Sequence, residues 1–148
     1  MFDRFKAIFS GKTPAHPLTP HDARHALGAL MVRAAGADRA YLFEEIERID
    51  RILAQSYGLN PVEAAKMRAA CERLEKEMPD TAELAEILHS AIPDAEAEAA
   101  VRSLWQVVFA DGQEHEAEDK LLHEIEAFLG VPADVAQRIH DEEAAKLI

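Results

Sequence analysis

The chain has 148 residues, 49% hydrophobic and 30% charged, a balance that supports a buried core and excludes a disordered polar segment. Its formal net charge is -12, and residues 41–148 carry twenty-five Asp/Glu against ten Lys/Arg, a surplus that repels phosphate backbones and argues against a nucleic-acid partner. One cysteine, Cys71, allows no internal disulfide, and no apolar run reaches the roughly 18 residues of a membrane span, so a reducing, cytoplasmic setting is expected.

Phe2, Phe5, Ile8 and Phe9 fall on one helical face beside Arg4, Lys6 and Lys12, and the breaker run Ser10-Gly11-Lys12-Thr13-Pro14 follows. Residues 1–14 therefore read as a basic amphipathic segment and tether, and residues 15–148 as one helical domain. Such a stripe can lie on an anionic membrane surface, dock in a partner groove, or fold back on its own domain.

Thr19-Pro20-His21-Asp22 offers an N-cap, a proline at the first helical position and an acid at the third. Ala23, Leu27, Leu30, Met31 and Ala34 behind it mark one buried face. Leu42, Ile46, Ile49 and Leu53 form the next stripe, which Gly58 stops, and Asn60-Pro61-Val62-Glu63 opens a helix carrying Met67, Cys71, Leu74 and Met78. Asp80 caps a short helix through Leu84, Ile87 and Leu88. Pro93-Asp94 opens another through Val101, Leu104, Trp105 and Val108, with Trp105 predicted to be buried. Leu121, Leu122, Ile125, Phe128 and Leu129 run on to Gly130, and Pro132 starts a last helix through Val135 and Ile139. No segment shows sustained period-2 alternation, so the class is all-α.

Sliding the chain by 73 residues aligns Ala37-Asp38 with Ala110-Asp111, Glu45 with Glu118 and Ile49 with Leu122; one residue less aligns Gly58-Leu59 with Gly130-Val131. The pattern predicts a duplicated helical unit forming a pseudo-twofold globule. Ala110-Asp111-Gly112, then Glu118 and a helix closed by Leu129-Gly130-Val131, resembles the core motif of the TerB family of tellurite-resistance proteins. Ala37-Asp38 through Glu44-Glu45, then Tyr57-Gly58-Leu59-Asn60-Pro61, resembles that family's first copy. A related domain begins the co-chaperone DjlA, although this chain contains no His-Pro-Asp tripeptide and so no J-domain signature.

The resemblance implies a single bundle of about seven helices and a non-enzymatic module of a bacterial stress-response or tellurite-resistance system that engages a protein partner. It also implies Asp/Glu pairs that hold a divalent cation, calcium or another: Asp111 with Glu118, and Asp38 with Glu45 as a degraded counterpart. Arg39 replaces the motif glycine in copy one, Glu114 stands at a usually aliphatic position in copy two, and Ala40-Tyr41-Leu42 is unusual before the second helix.

From the residues alone, two readings of the acids stay open. A reversing turn could gather Asp111, Glu114, Glu116 and Glu118 around a hard cation, which takes several oxygens. Alternatively, acids at a helix start cap free N–H groups and favour the positive end of the dipole. The second reading leaves a structural adaptor without metal that binds a partner or membrane through its N-terminal stripe. His115, Asp119 and His123, four apart, share one helix face, either as zinc or nickel ligands or as locally paired surface groups. Cys71 lies on an apolar stripe where a thiol is a small hydrophobe, and neither a phosphate loop nor a nucleophile elbow is present.

Overall fold

The computed structural model describes residues 20–37 and 41–147. The N-terminal stripe, the Thr19 cap, Asp38 and Arg39 lie outside the described residues. Among the described residues seven helices follow one another: α1 (Pro20–Ala35), α2 (Phe43–Tyr57), α3 (Pro61–Glu77), α4 (Thr81–Ala91), α5 (Asp94–Val108), α6 (Glu116–Phe128) and α7 (Ala133–Ala145), with a 3-10 turn (Phe109–Asp111) after α5. No strand occurs among the described residues.

The starts and stops are local chemistry. At α3, Asn60 Oδ1 accepts from Glu63 N–H at 2.8 Å while Glu63 Oε1 accepts from Asn60 N–H at 2.9 Å, a reciprocal capping box with Pro61 at the first helical position. Asp80 Oδ1 accepts from Ala82 N–H at 2.9 Å and starts α4. At the other ends, Gly58 (φ 65°) and Gly130 (φ 72°) are left-handed. Leu59 N–H reaches Ala54 O at 3.0 Å and Val131 N–H reaches Glu126 O at 3.1 Å, so both turns close by the same six-to-one bond. The helix order α1–α2–α3 recurs as α5–α6–α7, with α4 as the link, as the repeat predicts.

Helix α1 departs from the one-faced pattern read from its large apolar residues. It packs against α2, α3, α4, α5 and α6. Between Asp22 and Ala35 only Arg24 is exposed, with Leu27 and Arg33 half-buried. The physical reason lies between the large residues: Ala26, Gly28, Ala29, Ala34 and Ala35 are small enough for neighbours to approach on every side. Arg33 then closes the lower end of the α1–α3 seam, donating from Nε to Glu75 Oε1 at 3.2 Å and from Nη2 to the carbonyls of Glu75 and Met78. Those carbonyls belong to the last turn of α3 and its C-cap residue, where the helix no longer supplies backbone donors.

Within that seam Gly28 packs directly against Cys71. The thiol is fully buried, and burial pushes it up to about 12, so it acts as packing volume and not as a nucleophile. A Cβ on Gly28 would overlap Cys71 Sγ. Gly28→Ala is therefore expected to destabilise the protein by ~1–3 kcal/mol through overpacking, against an intrinsic helix gain of about 1 kcal/mol. Adding Cys71→Ala should recover most of that loss in denaturant melts; an unaffected or stabilised Gly28→Ala single variant would show that the two helices have room to separate.

Candidate functional site

The two glutamates aligned by the repeat occupy matching places. Glu45 and Glu118 are each the third residue of a helix, α2 and α6, and they are 1% and 0% exposed. Carboxylates are rarely buried so fully unless held. Glu45 Oε1 accepts the N–H of Leu42 at 3.0 Å, which ties the helix start back to the turn before it. Leucine offers no acceptor in return, so only half of a capping box forms.

In the second copy the turn is built by Asp111. Its Oδ1 accepts from Gln113 N–H at 3.0 Å, and Gly112 (φ 79°) supplies the left-handed bend. Its Oδ2 lies 3.2 Å from His115 Nε2, and Glu118 Oε1 lies 3.9 Å from the same nitrogen. Asp111 and Glu118 thus come together, with the His115 imidazole between them. The turn itself packs on α2, the helix that carries Glu45.

The wider acid set does not converge. Glu116 is solvent-exposed and lies 3.8 Å from Lys120. Glu114 turns away to α7, where its Oε1 meets His140 Nε2 at 2.9 Å. The histidine trio also separates: His115 goes to Asp111, His123 Nδ1 to Glu126 Oε1 at 3.0 Å, and Asp119 toward Glu114. Among the described residues no group of three or more His, Cys, Asp or Glu is placed to hold a metal ion.

Sequence reasoning missed the assembly on the other side of this turn. Trp105 is fully buried, as predicted, but its indole Nε1 donates to the buried carboxylate of Glu126 at 2.9 Å. Its ring stacks on Phe109 at 5.5 Å and meets the edge of His140 at 4.7 Å. His140 also contacts Asp141 Oδ1 at 2.9 Å, and its two carboxylate partners raise its proton affinity against the opposing effect of burial. Beside it, no donor reaches Asp119 Oδ1 among the described residues, and Asp119 faces Glu114. Desolvation and the neighbouring Glu114 push Asp119 up to about 6, while the bond from Asp119 holds Glu114 below its usual range. The pair shares one proton over much of the acid range. A further long-range tie, Arg102 to the buried Glu143 at 2.6 Å and to Glu142 at 3.0 Å, joins α5 to α7.

The family described as "Tellurite resistance protein TerB" matches residues 24–141, which take in every described helix except the first turn of α1 and the end of α7. The chain belongs to the TerB family. No curated protein and no solved structure gives a match to it. The TerB family is one of non-enzymatic modules with an all-α fold. No helix of the TerB domain among the described residues is long and apolar enough to cross a membrane.

The shared proton gives this TerB domain a defined pH response. Because the folded state raises Asp119, that group's contribution is present below its unfolded value near 4 and is lost as pH rises through about 6. Asp119→Asn removes the cost of ionising beside Glu114. The variant is expected to melt a few degrees above wild type at pH 7.5, and the advantage should vanish by about pH 4. Melting curves across pH check this; a constant offset at every pH would remove the proton from the explanation.

Proposed function

We propose that this chain is a non-enzymatic protein-interaction module of a bacterial, cytoplasmic stress-response system of the tellurite-resistance type, presenting the acidic surface of its second half to a basic partner. The observation that carries the reading is the charge distribution. Residues 94–148 hold fourteen Asp/Glu against four Lys/Arg, so this portion supplies most of the net charge of -12. Among these acids Glu116, Glu124, Asp134, Asp141 and Glu142 are exposed. A surface of one sign steers an oppositely charged partner and sets its orientation more than its final affinity. Binding should therefore weaken with salt and slow in association first.

The test is co-purification with the full-length protein from its native lysate, followed by the association rate of the captured partner. Glu124→Lys with Asp134→Lys is expected to slow association about tenfold at low salt, whereas Glu44→Lys with Glu86→Lys in the first half should leave it nearly unchanged. Equal effects of the two pairs would point to bulk charge alone and reject a directed surface.

A second reading, weak divalent-cation binding, is supported by the meeting of Asp111 Oδ2 and Glu118 Oε1 on one His115 nitrogen. A cation could take the place of the imidazole between the two carboxylates. Two carboxylates fall short of the six to eight oxygens that calcium takes, so the residues fit a loosely held, largely hydrated ion. Asp38 and Glu45 would form the weaker counterpart, because Arg39 puts a positive charge beside Asp38; repulsion is ~1–4 kcal/mol at about 4 Å. Asp111→Asn can keep the bond from Gln113 N–H and removes only charge. It should weaken calcium binding about tenfold in isothermal titration, Glu118→Gln should do the same, and Asp38→Asn should do less. Wild type that takes up no divalent ion at millimolar concentration would leave helix capping as the whole role of these acids.

A further inference from the structure

A groove of about 490 Å³ opens between the first half of α1, the end of α4 and the start of α5. Its walls are mainly apolar, with Leu27, Tyr57, Leu88, Ile92 and Ala99, and Ser56 and Ser103 add hydroxyls. Two charged residues border it, Glu96 and Arg24, and the Arg24 guanidinium sits over the Tyr57 ring at 4.5 Å from its centroid. Small side chains along the α5 wall leave room for another backbone to come close. A cleft of this size and lining is built to take apolar side chains.

We propose that the occupant of this groove is the chain's own N-terminal segment, residues 2–9, docked through Phe2, Phe5, Ile8 and Phe9. Three observations single out that segment. The first is position: Ala23 lines the groove, and α1 begins only three residues earlier at Pro20, so the preceding chain leaves α1 at the groove's rim. The second is reach. Residues 10–19 span up to about 33–36 Å when extended, more than enough to return residues 2–9 along the cleft.

The third is chemistry. Four large apolar residues at helical spacing match an apolar cleft, and Arg4 and Lys6 on the same segment are complementary to Glu96. Each phenylalanine removed from water favours the docked state. A short tether also gives the segment an effective concentration near the millimolar range, which a second copy at micromolar concentration does not match. The groove shares no residue with the Asp111 turn, so the docking stands apart from partner and ion binding there. A docked segment is withheld from membranes and from other proteins, and its release would expose both the stripe and the cleft at once.

Trypsin on the full-length protein tests this, because Arg4, Lys6 and Lys12 are cut only when accessible and cleavage follows the open population. Ala99 is exposed on α5, so Ala99→Lys puts a charge that repels Arg4 and Lys6 in the groove without disturbing the core; Trp105 emission verifies the fold of each variant. Cleavage after Arg4 and Lys6 is expected to be about tenfold faster in Ala99→Lys than in wild type. Phe5→Glu should give the same acceleration, and the double variant no more than either single one, since both break one contact. Wild type cut as fast as the variants would overturn the proposal. Protection that fades on dilution would assign the groove to a second copy, and protection that appears only with phosphatidylserine vesicles would assign the segment to a membrane; either result also overturns it.

Discussion

Helix α1 has almost no solvent face, and the other elements are arranged by that constraint. A helix touched by five others must be narrow where they cross it, which is why alanine and glycine alternate with Leu30, Met31 and Val32 along its length. Its low amphipathicity is thus a packing property and not a weakness of the helix: a helix apolar all round belongs inside. Cys71 and Leu74 of α3, Leu84 and Leu88 of α4, and Leu104 of α5 are all fully or nearly fully buried in the core that surrounds it. The second copy has no such central member. Its first helix, α5, keeps an exposed side toward Glu96, Glu98 and Ala99, so duplication gave two units of the same order with unequal burial.

That inequality bears on the two motif turns. Both glutamates are buried at the third position of a helix, where they meet the positive end of the helix dipole, worth ~0.3–1 kcal/mol at an exposed site and more when partly buried. In the second copy Asp111, Gly112 and His115 complete a compact polar knot, and the Trp105 assembly lies behind it, so the turn is braced from within. The polar knot and the aromatic cluster meet through His140, which touches Trp105 on one side and Glu114 on the other.

Much of the fold was legible in the sequence because it is written in local chemistry. Asn60, Asp80, Pro93, Gly58 and Gly130 each act within a few residues of themselves, and each does in the structure what its type and position imply. The 73-residue register located Glu45 and Glu118, and the burial of Trp105 followed from its stripe. What escaped was everything decided by how helices dock. His140 and Glu114 are 26 residues apart and Trp105 and Glu126 are 21 apart, so no periodicity links them. The small residues of α1 carry a strong packing signal that a count of large apolar positions passes over. The even spacing of His115, Asp119 and His123 suggested one shared ligand set, yet each side chain found a nearer partner in the turn before it or on its own helix.

The buried thiol of Cys71 has a consequence for observing this molecule in motion. It is the chain's sole cysteine, it packs directly against Gly28 where α1 meets α3, and its proton is held to about pH 12. A thiol reagent therefore reacts only after those two helices part, and the modification rate becomes a clock for that opening alone. The protein carries its own reporter of the seam on which its central helix depends, with no label added and no residue changed.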